Sequence, residues 1–453
     1  MYDRLLSPEL RELLRANDSE GMAEFCDALH PAVTAEVLDG LDANDAWRVL
    51  STCRNEQQAE IFGFLTLPYQ IELVRSVDRE RLSKLIETMA PDDRVDLLER
   101  MAPERVEALL PLVAQAERSD IRKLLSYPDD SAGSIMTTEY ASLPEEITVG
   151  EAFERLRRQA PDRETIYYVY VLDEGRRIRG FVSLRELILA KPDRRLVDVM
   201  RRDVISVRFD DDQEFVAQEL ARYDFVAIPV VDKQNQLVGI VTHDDVLDVL
   251  QEEATEDAHR LGAVQPLEDS YLETPIRTIA WKRGVWLLFL SIVALVTAEI
   301  LQGFEEVTKS HVWLILFLPL VLASGGNAGS QSATLIIRTL ALGELPDRDS
   351  VRLARREALL GMLLGISIAA VGFVAAYTWF DRTLMESTVV AVTVLLVVII
   401  GTFAGAMFPL FFKRSGMDPA LMSTPLIAAL IDVGGAVIYY SVASYLLRSG
   451  SVQ

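Results

Sequence analysis

Written in rows of twelve from Leu29, residues 29–112 place apolar side chains in fixed columns. The ninth column reads Val37, Val49, Ile61, Leu73, Leu85, Leu97 and Leu109, and the tenth Leu38, Leu50, Phe62, Val74, Ile86, Leu98 and Leu110. This spacing predicts seven very short helices, each too small to bury its own face and therefore stacked as a solenoid. Pro31, Pro68, Pro91 and Pro103 fall early in their rows, where proline suits a first helical turn. Asp92 and Glu104 just behind two of them suit the helix dipole. From about residue 130 the period changes to alternating strand and helix, and the order occurs twice. A helix over 149–158, strands over 166–172 and 178–183 and a helix over 184–190 are followed by a helix over 213–223, strands over 226–231 and 237–242 and a helix over 244–251. This is a duplicated β-α-β-β-α unit.

Five long apolar runs follow, at about 284–302, 311–337, 358–380, 388–412 and 420–447, each near or above the length that crosses a bilayer as a helix. The pattern predicts a multidomain membrane protein. An all-α superhelical N-terminal domain occupies 1–128, the halves of an α/β module occupy 129–192 and 193–251, a connecting helix runs over 252–280, and a five-helix transmembrane domain fills 281–453. Basic residues between the runs set the orientation. Arg277, Lys282, Arg283, Arg338, Arg348, Arg352, Arg355, Arg356, Lys413 and Arg414 fall on one side, against Lys309, Arg382 and Arg448 on the other. By the positive-inside rule the N-terminal half is cytoplasmic and the C-terminus outside. So few helices rarely enclose a pore alone, which points to a homodimer with the pathway on its two-fold axis.

Charge sharpens this picture. The formal net charge is −23, and residues 1–270 hold 32 Lys and Arg against 56 Asp and Glu. Such a half repels nucleic-acid phosphates and suits cations. Glu252, Glu253, Glu256 and Asp257 lie on neighbouring turns of the connector, between the module and the membrane, as candidate Mg²⁺ or Ca²⁺ contacts. The two cysteines, Cys26 and Cys53, have no CxxC spacing or histidine cluster and read as inert packing thiols of a reducing compartment. The first residues contain no run of signal-peptide length.

The chemistry concentrates in the apolar half. Asp432 lies near the middle of the last run, where a carboxylate costs about 2.5–3.5 kcal/mol and is rarely left facing lipid. Ala428, Ala429, Gly434 and Gly435 leave room beside it for a backbone or a hydrated ion. The second run carries Asn327, Ser330, Gln331, Ser332 and Thr334, too polar for lipid, together with Pro319 and three glycines. Gly361 with Gly365 and Gly401 with Gly405 are packing signals. Glu299, near the outer end of the first run, reads as an interfacial or entry residue. An intramembrane hydrolase would pair it with Asp432, but the two lie at different depths and no nucleophile motif accompanies them, so the chain reads as no enzyme. An anion carrier is disfavoured by an acid without a basic partner at the pore centre.

Two resemblances carry the reading further. The segment Gly239-Ile-Val-Thr-His-Asp-Asp245-Val, with Val226-Ala-Ile-Pro-Val-Val-Asp232 before it and Gly180-Phe-Val-Ser183 in the first half, resembles CBS motifs, so 130–255 looks like a tandem CBS pair. That likeness implies regulation, with ATP as a candidate ligand and Thr242 and Asp245 as its ribose contacts; the alternative is that Asp245 merely caps its helix. Gly325-Gly-Asn-Ala-Gly-Ser-Gln331, Ala404-Gly-Ala-Met-Phe-Pro409, Asp418-Pro-Ala420, Pro425 through Asp432 and Ile438-Tyr-Tyr440 resemble the MgtE family of magnesium transporters and channels. The resemblance implies Mg²⁺ influx through a homodimer in the cytoplasmic membrane. It makes Asp432 the pore acid, with Asn327 and the Ala428 backbone nearby. It also makes the acidic cytosolic surfaces, including Asp92, the Mg²⁺ sensor and the helix around 252–264 a plug. Many relatives carry threonine at one or both of positions 428 and 429, which are alanines here. Another divalent cation, Co²⁺, Ni²⁺ or Mn²⁺, is the alternative cargo.

Overall fold

The computed structural model describes residues 2–267, 271–272, 274–341, 345 and 349–450. Arg348 and the side chain of Arg448, both used above for orientation, lie outside the described residues. The chain divides into two units, residues 1–250 and 251–453.

In the first unit, α1 (Tyr2–Ala16) and α2 (Ser19–Ala28) precede one helix for each twelve-residue row. These are α3 (Pro31–Leu38), α4 (Ala43–Leu50), α5 (Asn55–Gly63), α6 (Leu67–Ser76), α7 (Arg79–Thr88), α8 (Pro91–Glu99) and α9 (Pro103–Leu109), and α10 (Gln115–Leu124) follows. Prolines open α3, α8 and α9 because their missing N–H would be unpaired there anyway. Asp18, Asp42 and Asp78 cap α2, α4 and α7 by accepting from first-turn N–H groups. Each helix packs on the second one after it, α3 on α5 and so on to α7 on α9, which makes a two-row superhelix. Every ninth- and tenth-column residue is buried in its single core. Arg94 is also buried, at 1% exposure. It donates to Glu117 Oε2 at 2.6 Å and to the Met89 carbonyl at 2.8 Å, fixing how α8 rolls against α10.

The second half of this unit holds two three-stranded sheets. The first contains β1 (Tyr140–Pro144), β2 (Thr165–Leu172) and β3 (Ile178–Ser183), with α11 (Val149–Gln159) and α12 (Leu184–Leu189). The other contains β4 (Val207–Arg208), β5 (Ala227–Val231) and β6 (Leu237–Thr242), with α13 (Gln213–Arg222) and the start of α14 (His243–Leu261). In each sheet the first pair is parallel and the second antiparallel. The halves exchange their lead-in segments: Thr137 pairs with Ile240 of β6, and Arg201 with Phe181 of β3. This explains the matching glycines. A Cβ at Gly239 would lie 2.8 Å from the Thr137 carbonyl, and one at Gly180 2.5 Å from the Arg201 carbonyl. Gly239→Val is expected to lower the stability of the first unit by about 1–3 kcal/mol, because backbone rather than a flexible side chain must move. Urea unfolding of residues 1–261 measures this; an unchanged midpoint would refute the close-approach account.

The second unit contains α15 (Ile276–Gly303), α16 (Glu305–Ser310), α17 (Leu314–Ala341), α18 (Ser350–Thr378), α19 (Leu384–Arg414) and α20 (Thr424–Gly450). All but α16 are long and apolar enough to cross a membrane. Two boundaries depart from expectation. The connector over 252–280 is not one helix: α14 stops at Leu261, after which Gly262, a left-handed Ala263 and Pro266 interrupt the hydrogen-bond ladder, and helix resumes at Ile276. The fifth span starts at Thr424 rather than 420, because Pro419–Leu421 form a tight turn capped by Asp418, which accepts from Ala420 N at 2.7 Å. Helix α19 is central, packing on α17, α18 and α20, whereas α15 packs on α20 and stays largely exposed. The glycine pairs let the helices approach closely. A Cβ on Gly401 would lie 2.6 Å from the Gly325 carbonyl, and one on Gly365 3.1 Å from the Leu395 carbonyl.

Candidate functional site

Helices α17 and α20 build the acidic site in the membrane unit. Gly326 marks where they face each other: a Cβ there would sit in ordinary contact with Ala428 Cβ at 3.4 Å and Asp432 Oδ1 at 3.6 Å. Ala428 and Asp432 are one turn apart on α20 and both half-buried, so the carboxylate stands beside a bare stretch of α17 backbone. Asn327, the next residue, sits on the exposed side of α17. With Ser324 and Gln331 it lines a groove of about 400 Å³ whose apolar wall includes Leu364 and Ile368 of α18. A polar ridge of Ser324, Asn327 and Gln331 at bilayer depth, next to a half-exposed acid, suits a water-filled or protein-covered surface and not lipid. Glu299 is exposed on α15.

Other polar residues of this segment tie helices together. Ser330 Oγ donates to the Thr424 carbonyl at 3.1 Å, and Thr424 Oγ1 donates to the Leu261 carbonyl at 3.0 Å. The C-terminus of α14 is thereby joined through the first turn of α20 to the glycine-rich part of α17. Arg260 adds a second link, pairing with Glu256 on its own helix and with Asp418 before α20. Asp257 has its carboxyl pushed up by burial and by the nearby Asp418, with Arg338 opposing. Of the four connector acids, Glu256 is already neutralised by a guanidinium, Glu252 is exposed, and Glu253 is half-buried. The sequence reading missed Arg260, whose spacing of four from Glu256 was visible, and Glu357. That residue is buried at the start of α18 and accepts from Ser332 Oγ at 2.9 Å. It lies one residue before the apolar run, where an acid reads as an ordinary helix-end charge.

The first unit gathers a second acidic group. Asp92, Asp93 and Asp96 of α8 face Asp244, Asp245 and Asp248 of α14, with Glu164 alongside. Burial first, and then Asp245 and Asp93, push Asp92 well above the usual carboxylate range. Burial with Asp93 and Glu99 pushes Asp96 up to about 7, and burial with Asp244 and Asp245 pushes Glu164 up to about 7. Burial also raises Asp245 to about 6, against the hydrogen bond it accepts from Thr242 Oγ1 at 2.5 Å. Like charges brought this close call for a proton or a cation between them. Among the described residues no three such ligands converge on one point as a ready-made metal cage. This spread suits a hydrated ion such as Mg²⁺, which keeps most of its waters.

Thr242 and Asp245 thus belong to this acidic seam. A separate apolar cleft lies between the two sheets, lined by Tyr168, Tyr170 and Phe181 on one side and Phe225, Ala227 and Pro229 on the other. The buried Tyr170 hydroxyl has no hydrogen-bond partner among the described residues.

Residues 318–442 match the family model MgtE, described as a divalent cation transporter, 29–130 match the MgtE intracellular N domain, and 132–193 and 196–252 match the CBS domain. The chain is 40% identical over 447 residues to the magnesium transporter MgtE of Thermus thermophilus, covering 98% of this chain and 99% of the relative. The chain belongs to the MgtE family. It is likewise 34% identical over 448 residues to the magnesium transporter MgtE of Bacillus subtilis, covering 99% of this chain and 98% of that one. Among solved structures it is similar to the cytosolic domain of the Mg²⁺ channel MgtE in complex with ATP, with TM-score 0.52 and 39% identity over 54% of this chain and 100% of that one. The soluble part of a magnesium transporter aligns with TM-score 0.53 and 34% identity over 56% of this chain and 99% of that chain. Family membership fixes the broad class as a multi-pass transporter with a helical N domain and a CBS pair. The roles of single residues rest on the geometry above.

Proposed function

We propose that this chain forms a Mg²⁺-selective channel as a homodimer in the cytoplasmic membrane, with the N-terminus in the cytosol and the C-terminus outside, and that cytosolic Mg²⁺ closes it. The observation that carries the reading is Asp432 beside Gly326 and Ala428, on the flank of an exposed polar ridge. One such half-site is incomplete; a second copy across a two-fold axis supplies the facing carboxylate and covers both ridges. Two Asp432 side chains then hold a hydrated Mg²⁺ through its water shell, in keeping with an ion that sheds water reluctantly. Asn327 and the backbone at Ala428 complete the ring of oxygens. In the cytosol the domains read as 1–128, 129–192, 193–251 and a connector from 252, with Asp92 and the connector acids Glu252, Glu253, Glu256 and Asp257 as the sensor. ATP is assigned to the CBS pair, with Thr242 and Asp245 as its ribose contacts; the acids of the seam around them would repel its phosphates unless a cation intervenes. Mg²⁺ uptake into proteoliposomes, competed with Co²⁺, Ni²⁺ and Mn²⁺, tests the cargo. Stronger uptake of one of these would give the channel to that ion instead.

Closure by the connector predicts a role for Arg260. Its pairs are about one-third exposed, 33% for Arg260 and 30% for Asp418, so the Arg260–Asp418 contact contributes about 1 kcal/mol. Arg260→Ala is expected to raise residual flux at saturating cytosolic Mg²⁺ about fivefold. Single-channel open probability measures this, and an unchanged value at high Mg²⁺ would remove Arg260 from the gate.

A further inference from the structure

The superhelix brings the two cysteines of the chain together. Cys26, in the last turn of α2, is fully buried beside Met22 and Phe25, whereas Cys53, between α4 and α5, is only half-buried. Their thiols lie within hydrogen-bonding reach of each other. The backbone around them is held independently of the sulfurs. Gln57 Nε2 donates to the Cys26 carbonyl at 3.0 Å, pinning the first turn of α5 to the end of α2, and the Cys53 thiol also reaches the Val49 carbonyl at 3.7 Å. Chain segments 27 positions apart are thus fixed at one point with two sulfurs between them. A disulfide bond needs Cα atoms about 4.4–6.8 Å apart and sulfurs that can close to about 2.05 Å, and a hydrogen-bonded thiol pair on anchored segments is the starting arrangement for it.

We propose that Cys26 and Cys53 form a redox-sensitive dithiol that closes to an intramolecular disulfide when the cytosolic unit meets hydrogen peroxide. The two sulfurs have different roles. The hydrogen bond shared with Cys26 holds the Cys53 thiol below its usual range, whereas the same hydrogen bond and burial push Cys26 up. Cys53 is therefore the thiolate nucleophile, and its partial exposure admits the oxidant. The Cys53 sulfur attacks one peroxide oxygen, the O–O bond breaks, and the leaving hydroxide takes up a proton as water, leaving Cys53 as sulfenic acid. Cys26 sulfur then attacks Cys53 sulfur, the S–O bond breaks, and the thiol proton of Cys26 leaves with the oxygen as a second water. Two thiols are oxidised by two electrons and one peroxide is reduced to two waters. The cross-link ties α2 to the turn after α4, in rows of the superhelix distant in sequence from the acidic seam.

The test uses the full-length protein in detergent, reduced, freed of reductant and treated with hydrogen peroxide. Alkylation with maleimide-polyethylene glycol under denaturing conditions then counts free thiols. Two adducts before oxidation and none after it are expected, with a tryptic peptide pair linking Cys26 to Cys53 and release by dithiothreitol. Cys53→Ser is expected to slow the loss of the Cys26 thiol about tenfold or more, because the buried sulfur lacks its nucleophilic partner. In Cys26→Ser, a sulfenic acid trapped by dimedone at Cys53 is expected to accumulate. Two persistent adducts in the wild-type protein, or a disulfide joining two copies instead of residues within one, would overturn the proposal.

Discussion

Replacing Asp432 by asparagine is expected to lower Mg²⁺ flux about 100-fold while leaving the assembly and its elution volume unchanged. At an outer-sphere separation of about 5 Å and an effective dielectric of about 20, a carboxylate and a divalent cation attract by roughly 6–7 kcal/mol. Water and the ion's hydration shell cancel most of this. If only one-fifth survives, about 1.4 kcal/mol remains per carboxylate, which is tenfold in occupancy. Two facing carboxylates therefore give about 100-fold. Asparagine keeps the shape that packs beside Gly326, so the packing of α20 on α17 is preserved and only charge is removed. Asp432→Ala is expected to fall as far, and Asp432→Glu part of the way, since the longer side chain carries the charge away from Gly326. Flux is read by a Mg²⁺-sensitive dye in proteoliposomes. Wild-type flux in the asparagine variant would take the pore away from Asp432, whatever its effect on packing.

How far the sequence revealed this arrangement depends on the range of the interactions. The twelve-residue period was legible because each row repeats the same local bargain between a short helix and a shared core; Val37 through Leu110 needed only their columns to be placed inside. The glycine pairs 361/365 and 401/405 were equally legible, since close helix approach leaves its mark on one helix alone. Strand β4 was not, because two residues, Val207 and Arg208, carry no alternation to detect. Contacts between distant stretches were beyond reach. Arg260 and Asp418 are separated by most of the membrane domain in sequence, and either alone reads as a solvated charge. The same holds for Ser332 with Glu357 and for the thiol pair. Thr242 and Asp245 show a different limit. Their spacing marks the start of α14 correctly, yet which neighbours share their side of the helix is decided by α8, from another domain.

That neighbour also sets the second large effect, a stability of the cytosolic segment that falls as pH rises unless Mg²⁺ is present. Asp96 and Glu164 are pushed up to about 7 and Asp245 to about 6, all above the ordinary carboxylate values they regain on unfolding. The folded form therefore holds extra protons between those limits, and the stability they give is present at lower pH and lost as pH rises through about 6–7. One such group contributes about 1.4 kcal/mol per pH unit across its titration. Asp96 and Glu164 are exposed, so solvent screens much of their effect, and between pH 6 and pH 8 the three together remove about 1 kcal/mol, a fall in melting temperature of roughly 2–4 °C for a segment of this size. Mg²⁺ does at pH 8 what protons do at pH 6, so millimolar Mg²⁺ is expected to restore the melting temperature and flatten the pH dependence. Residues 1–261 with Asp92, Asp96 and Asp245 all changed to asparagine are expected to melt higher than the wild-type segment at pH 8 and to gain less from Mg²⁺, because three of the seven seam carboxylates no longer repel or bridge. A wild-type segment whose melting temperature is flat from pH 6 to pH 8 without divalent cation would show that the seam is already neutralised by its own side chains. The cation-driven compaction on which closure depends would then have to arise at the connector acids instead.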